Sequence, residues 1–214
     1  MTNWEQLINQ DKHKLDFRKV SAFELPKNIF DDLKKSCVQA KEIGEKYNNN
    51  LAGHIKEEYS IRQISKQFND YMIDCLHHGP IKEVWTGIDV ITNDKPIVLH
   101  SLWVNYAKKY EFNPPHSHGG FVSFVIFVNI PYDLKEEESY FPNPNNTIEN
   151  NYSSKFSFLN INYNGRIVND VINVDKSFEG KMFMFDAKQS HQVFPFYTSD
   201  DYRITVSGNF KFAT

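Results

Sequence analysis

His116, Ser117 and His118 place two imidazoles two positions apart, behind the stiff extended approach Asn113-Pro114-Pro115. Side chains at i and i+2 of an extended segment leave on the same side, so the pair can converge on one metal ion. A third histidine, His191, opens an apolar run that follows a strand-and-turn pattern over residues 179–190. With it, a closed face of three imidazoles becomes possible. Arg203 stands one strand further on, between Tyr202 and Ile204. A buried arginine is costly unless paired, and its planar fork matches a carboxylate. Thr205 and Ser207 lie two and four residues beyond it on the same strand face, where either hydroxyl can reach that carboxylate. Together these residues describe a metal ion with an organic acid held beside it. Imidazole suits iron, zinc, copper and nickel, so the motif alone does not choose the metal. The other histidines, His13, His54, His77, His78 and His100, read as surface, cap or structural residues.

The elements that must position this constellation fall into two blocks. Residues 29–78 read as helical, because Phe30, Leu33, Cys37 and Ala40, then Ile61, Ile64, Phe68, Tyr71, Met72 and Cys75, recur at helical spacing. Residues 47–50 break the two helices, and Gly79-Pro80 ends the second. Residues 84–89 fit a strand or a short helix. From there on, short apolar runs predict strands over 97–106, 121–130, 156–162, 166–174, 181–186, 191–196 and 202–212. Residues 131–151 form a polar loop rich in Asn, Pro and Glu. It reads first as a solvated insertion and second as a lid carrying Tyr132 and Tyr140. The fold class is mainly β with added α: an antiparallel jelly-roll barrel. Residues 1–80 form a helical extension packed on its outside, residues 81–214 form the barrel, and the two make one structural unit. Such a topology pairs early strands with late ones and brings residues 116–118 to residue 191. Trp103 and Asn105 sit on a strand able to line the same cavity.

Composition narrows the function. The 214 residues carry a net charge of -3, which offers no electrostatic case for nucleic acid. No G-x-G-x-x-G or P-loop pattern occurs. No basic, apolar leader opens the chain, and no run of 18 apolar residues suggests a membrane span. Cys37 and Cys75 read as free thiols of a reducing cytoplasm.

With these residues in view, the chain resembles the Fe(II)/2-oxoglutarate-dependent oxygenases, and within them a set of uncharacterised, largely phage-encoded members. The likeness runs through residues 51–59 (LAGHIKEEY), 103–106 (WVNY), 112–119 (FNPPHSHG), 123–126 (SFVI), 191–196 (HQVFPF) and 203–209 (RITVSGN). It implies a double-stranded β-helix, Fe(II) as metal, and 2-oxoglutarate and dioxygen as co-substrates. It further implies oxidation of an unspecified primary substrate with release of succinate and CO2, in the cytoplasm or that of a phage host. By position, His116 matches the first metal ligand and His191 the last. Arg203 matches the residue that binds the distal carboxylate of 2-oxoglutarate, and Thr205 its hydroxyl partner.

One departure stands out: the pattern H-x-D/E has His118 in the acid position. Three readings stay open. His118 is a ligand in a three-histidine set; or it points away; or it is itself the first ligand with Gly120 in the acid position, as in iron halogenases. Two rival functions also stay open. A three-histidine cupin enzyme, dioxygenase or isomerase, would use the same barrel, although no glutamate follows the H-x-H soon enough and Arg203 has no role there. A binding or structural jelly roll would have kept the barrel and lost the chemistry.

Overall fold

The computed structural model describes residues 20–86, 95–140 and 151–213. Among them, ten strands form two antiparallel sheets facing one another. The large sheet runs β1 (Val20–Glu24), β8 (Lys181–Asp186), β5 (Val122–Asn129), β10 (Arg203–Phe212), β3 (Ile97–Ala107), β2 (Glu58–Ser60). The small one runs β4 (Asn113–His116), β9 (His191–Val193), β6 (Phe156–Ile161), β7 (Ile167–Ile172). This is the double-stranded β-helix, with late strands inserted between early ones.

The large sheet is buried on both faces, which is why its central strands read as continuous apolar runs. Along β5, Phe124, Ile126 and Val128 join a core under the helices, while Val125 and Phe127 join a core between the sheets. Phe127, Phe156, Phe158, Phe183 and Phe185 fill the second core edge-to-face and tilted. At Gly208, a Cβ would lie 2.6 Å from both the Phe124 ring and the Ser101 carbonyl. Only glycine lets β10 pack this tightly.

Helices α1 (Lys27–Ile43) and α2 (Lys66–Leu76) cover the outer face of the large sheet. Helix α1 buries Ile29, Leu33, Cys37 and Ala40, one stripe at helical spacing, and ends at Gly44 with φ +73°. Helix α2 starts at Ser65, whose hydroxyl accepts from the Phe68 amide. A short helix, α3 (Ile81–Thr86), follows.

The helical reading of 29–78 fails over residues 44–65, most of which are irregular and which include β2. Ile61 and Ile64 precede the Ser65 cap, so their spacing reflects packing of an extended segment rather than a helix. β1, before α1, extends the large sheet through β8. The polar loop after β5 begins with a helix, α4 (Leu134–Ser139), whose Glu137 is fully buried. Its carboxylate accepts from Ser153 Oγ (2.6 Å), Thr198 Oγ1 (2.6 Å) and the amides of Tyr197 and Thr198. Residues 87–89 and 141–150, parts of the 84–89 and 131–151 expectations, lie outside the described residues. Among those described, no helix is long and apolar enough to cross a membrane.

Candidate metal and anion site

His116 ends β4 and His191 begins β9, and the ladder between these strands pairs the two residues directly. His118 lies just beyond β4, where its amide donates to the Ala187 carbonyl (2.8 Å) and its carbonyl accepts from Lys188 Nζ (3.0 Å). The backbone is therefore fixed on both sides of the H-x-H, and one ligand-capable nitrogen from each ring comes within 4.8 Å of the others. Nε2 of His118 lies 3.2 Å from Nε2 of His191.

The protonation pattern suits a metal. His116 Nδ1 lies 2.7 Å from the Pro114 carbonyl and His191 Nδ1 lies 3.0 Å from the Gln189 carbonyl. A carbonyl only accepts, so in both rings Nδ1 carries the proton and Nε2 keeps its lone pair. His118 has no such carbonyl behind it among the described residues. Burial lowers the pKa of all three. His118 is pushed down to about 4, with His116 and Lys188 adding repulsion, and His191 to about 3, with His116 and His118 adding theirs. Near neutral pH the three rings are uncharged and able to coordinate.

Of the readings of His118, the geometry favours the three-ring set. The ring faces its two partners at centroid distances of 4.9 and 5.0 Å. Gly120 makes a poor vacant ligand position. Its φ is +95°, and a Cβ there would lie 2.5 Å from the Phe210 carbonyl, so the residue serves a tight turn onto β10.

The rings open onto a cleft running inward between the sheets. Arg203, Thr205 and Ser207 line it from alternate positions of β10, and Trp103 and Asn105 from β3. Arg203 is 3% exposed. Its Nη1 donates to the Phe194 carbonyl (2.9 Å), its guanidinium lies over the Phe196 ring, and its Nη2 is buried without a partner. Asp186 accepts from the Lys188 amide. Asn105 Nδ2 donates to Thr205 Oγ1 (3.1 Å), which leaves the threonine hydroxyl proton free to donate into the cleft. An orphaned guanidinium donor costs free energy unless an anion satisfies it. The fork, the adjacent hydroxyls and the neutral imidazoles thus fit a metal-bound organic acid with a second carboxylate.

Two wall residues escape sequence reasoning. Tyr132, read as part of a lid, is 2% exposed, lines the cleft and donates to the Ser154 carbonyl (3.1 Å). Its hydroxyl lies near enough to Arg203 for the guanidinium's charge and N–H groups to work against the rise that burial imposes on its pKa, although Nη2 finds no partner at hydrogen-bond distance. Ser154, held at φ 63°, points an unpartnered hydroxyl into the same region. The position of Tyr132 two residues after Ile130, the last apolar residue of the run that forms β5, is a usable signal; for Ser154 there is none. Tyr140, the other lid candidate, is partly exposed and stacks on Tyr197 at 5.2 Å.

A double-stranded β-helix with converging imidazoles and a buried arginine defines a class, the barrel metalloenzymes that hold an acidic co-substrate. The profile of the family described as "Putative 2OG-Fe(II) oxygenase" matches residues 101–209, and the chain belongs to that family. It is therefore a dioxygenase dependent on Fe(II) and 2-oxoglutarate. No curated protein matches the chain significantly. Among solved structures, it resembles a prolyl-4-hydroxylase of Pseudomonas putida (16% identity, TM-score 0.54, covering 92% of this chain and 94% of that one). It also resembles a prolyl hydroxylase of Trichoplax adhaerens solved with a peptide fragment of the hypoxia inducible factor oxygen degradation domain (10% identity, TM-score 0.51, covering 99% and 93%). At these identities the likeness speaks for the fold.

Proposed function

We propose that this chain oxidises a primary substrate at a metal held by His116, His118 and His191, with release of succinate and CO2 from 2-oxoglutarate. In the net reaction one oxygen atom of O2 enters succinate and the other the substrate, as a hydroxyl. Fe(II) supplies dioxygen activation and chelation of the keto acid. The chain supplies position. Arg203 holds the distal carboxylate, Thr205 donates a hydroxyl to it, Ser207 and Asn105 line its path, and the phenylalanine core excludes water behind it. The observation that carries this reading is the unpartnered Nη2 of a buried arginine on the cleft face that the three imidazoles share. The buried free thiols Cys37 and Cys75 accord with residence in a reducing cytoplasm.

The test is an anaerobic titration of Fe(II)-loaded protein with 2-oxoglutarate, followed by the weak metal-to-ligand charge-transfer absorption in the visible. Appearance of the band, and succinate on admitting air, is the expected result. Bound iron without the band would move the assignment to a three-histidine metalloenzyme that takes no keto acid. Failure to bind iron would leave a non-catalytic barrel.

A further inference from the structure

The inner face of the β2–β3 ladder holds more polar chemistry than metal and co-substrate use. Its register sets Glu58 opposite Asn105, Tyr59 opposite Val104 and Ser60 opposite Trp103. Tyr59 and Val104 belong to the core under the helices. By alternation, Glu58, Ser60, Asn105 and Trp103 face the barrel interior. Asn105 and Trp103 line the cleft, and the Trp103 ring lies 5.6 Å from that of His118. Glu58 is thus the direct cross-strand neighbour of a cleft residue, with Cβ atoms about 5 Å apart.

Glu58 is fully buried. Its Oε2 accepts from Asn48 Nδ2 (3.0 Å), but its Oε1 has no partner. A Cβ on Gly53 would lie 3.3 Å from that free oxygen and 2.5 Å from Nδ2 of Asn113. Ala52, Ile55 and Asn113 all line the cleft, and Oε1, itself shielded from solvent, lies behind this part of its wall, where the segment before β2 meets β4. Asn105 Oδ1 is a second buried acceptor without a donor. Nearby charges do not relieve Glu58. Glu111 repels it, and Lys46, the cation that attracts it, donates its hydrogen bonds to the Lys56 carbonyl and the Tyr59 hydroxyl. A fold that leaves two buried acceptors open beside a reaction centre leaves them for a ligand.

We infer that Glu58, backed by Asn105, is the primary-substrate subsite, and that the substrate presents to it a cationic N–H donor, a guanidinium or ammonium group. A neutral amide would satisfy one lone pair and leave a buried charge; a cation satisfies both. Burial also raises the Glu58 pKa to about 7, so a bound cation would draw the group into its charged form. The word "substrate" rests on the oxygenase reading, whereas the recognition itself requires neither iron nor 2-oxoglutarate.

The test is a calorimetric or NMR titration of the zinc-loaded full chain with N-acetyl-L-argininamide and N-acetyl-L-lysinamide, with N-acetyl-L-citrullinamide as the neutral isostere. At least one cationic probe is expected to bind saturably, with the citrulline analogue at least about tenfold weaker, and Glu58→Gln to weaken the cation by about tenfold or more. Gly53→Ala, which crowds the same oxygen without touching its charge, is expected to weaken it by at least about threefold. That variant carries the test if Glu58→Gln does not fold. The inference is overturned if neither cation saturates the wild type, if citrullinamide binds as well, or if the folded variants bind unchanged. Because the titration omits 2-oxoglutarate, its failure would leave the co-substrate assignment standing. A failed co-substrate titration would equally leave this subsite standing.

Discussion

Arg203→Ala separates anion binding from metal binding. The guanidinium sits on β10, whereas the three imidazoles come from the end of β4, the second residue beyond it, and β9. Truncation therefore leaves the metal ligands and their backing carbonyls in place. A charge-assisted hydrogen bond contributes about 1.5–3 kcal/mol, and deleting one partner of a buried charged pair costs about 3–5 kcal/mol. At about 1.4 kcal/mol per decade, the dissociation constant for 2-oxoglutarate should rise by roughly two to three orders of magnitude. Arg203→Lys keeps the charge and loses the fork, and should fall between. The same truncation removes a donor to the Phe194 carbonyl and the packing over Phe196, about 1–2 kcal/mol, partly offset by removal of the orphaned Nη2. Thermal unfolding should therefore change little. The assay is the anaerobic visible titration, run beside a metal titration followed by competition with a chromophoric chelator. A 2-oxoglutarate affinity within threefold of wild type, in a folded and metal-loaded variant, would refute the role given to Arg203.

His118→Ala should weaken divalent-metal binding by about tenfold or more while His118→Asp retains it, read by the same chelator competition; unchanged affinity in the alanine variant would return His118 to a bystander. The folded pKa of Glu58 lies near 7, above its unfolded value near 4.5, so the folded state binds the extra proton between them. That contribution is fully present below about pH 4.5 and is lost as pH rises toward 7 and beyond. Glu58→Gln should therefore melt several degrees higher at pH 8, from up to about 3 kcal/mol of relieved burial, and show a flatter melting temperature between pH 5 and 8. A wild-type curve flat over that range would show the carboxyl is not held neutral. Gly208→Ala should destabilise by about 2–4 kcal/mol, because its Cβ would meet Phe124 and the Ser101 carbonyl at 2.6 Å; urea unfolding at full secondary structure measures this.

What was readable from the residues follows the range of the interaction that sets each element. The strand over 181–186 appears with those bounds and that over 121–130 shifts by one residue at each end, because both faces of the large sheet bury apolar side chains there; those over 97–106 and 156–162 each shift by one residue. The spacing of His116 and His118 is local geometry, and Arg203 stood out as a lone charge in an apolar strand. β2 did not, because Glu58-Tyr59-Ser60 has no period and its strand state is set by pairing with β3. Nor did Glu58 itself. In Lys56-Glu57-Glu58 the two acids look alike. Yet Glu57 pairs with Lys41 at 2.7 Å on the half-exposed face, and Glu58 turns inward. Which of two adjacent acids is buried depends on strand register, and register here is fixed by residues nearly fifty positions away.

The histidine at position 118 makes chemical sense once the charges of the site are added. With a carboxylate there, a divalent metal, one anionic ligand, dianionic 2-oxoglutarate and Arg203 would sum to zero. With three neutral imidazoles the sum is one positive charge, in a cleft walled by aromatic rings. A low-dielectric cavity tolerates such a charge only if a counter-charge stands near. Glu58 is a fully buried carboxyl on that inner face, with one open oxygen. Its charged form would bring the loaded site back to zero before substrate arrives. A cationic substrate group would then take over the Glu58 carboxylate and restore the positive charge beside the metal. Under the proposed roles, the histidine at 118 and the buried carboxyl at 58 would form one electrostatic arrangement, with the balancing acid behind the wall of the cleft rather than on the metal.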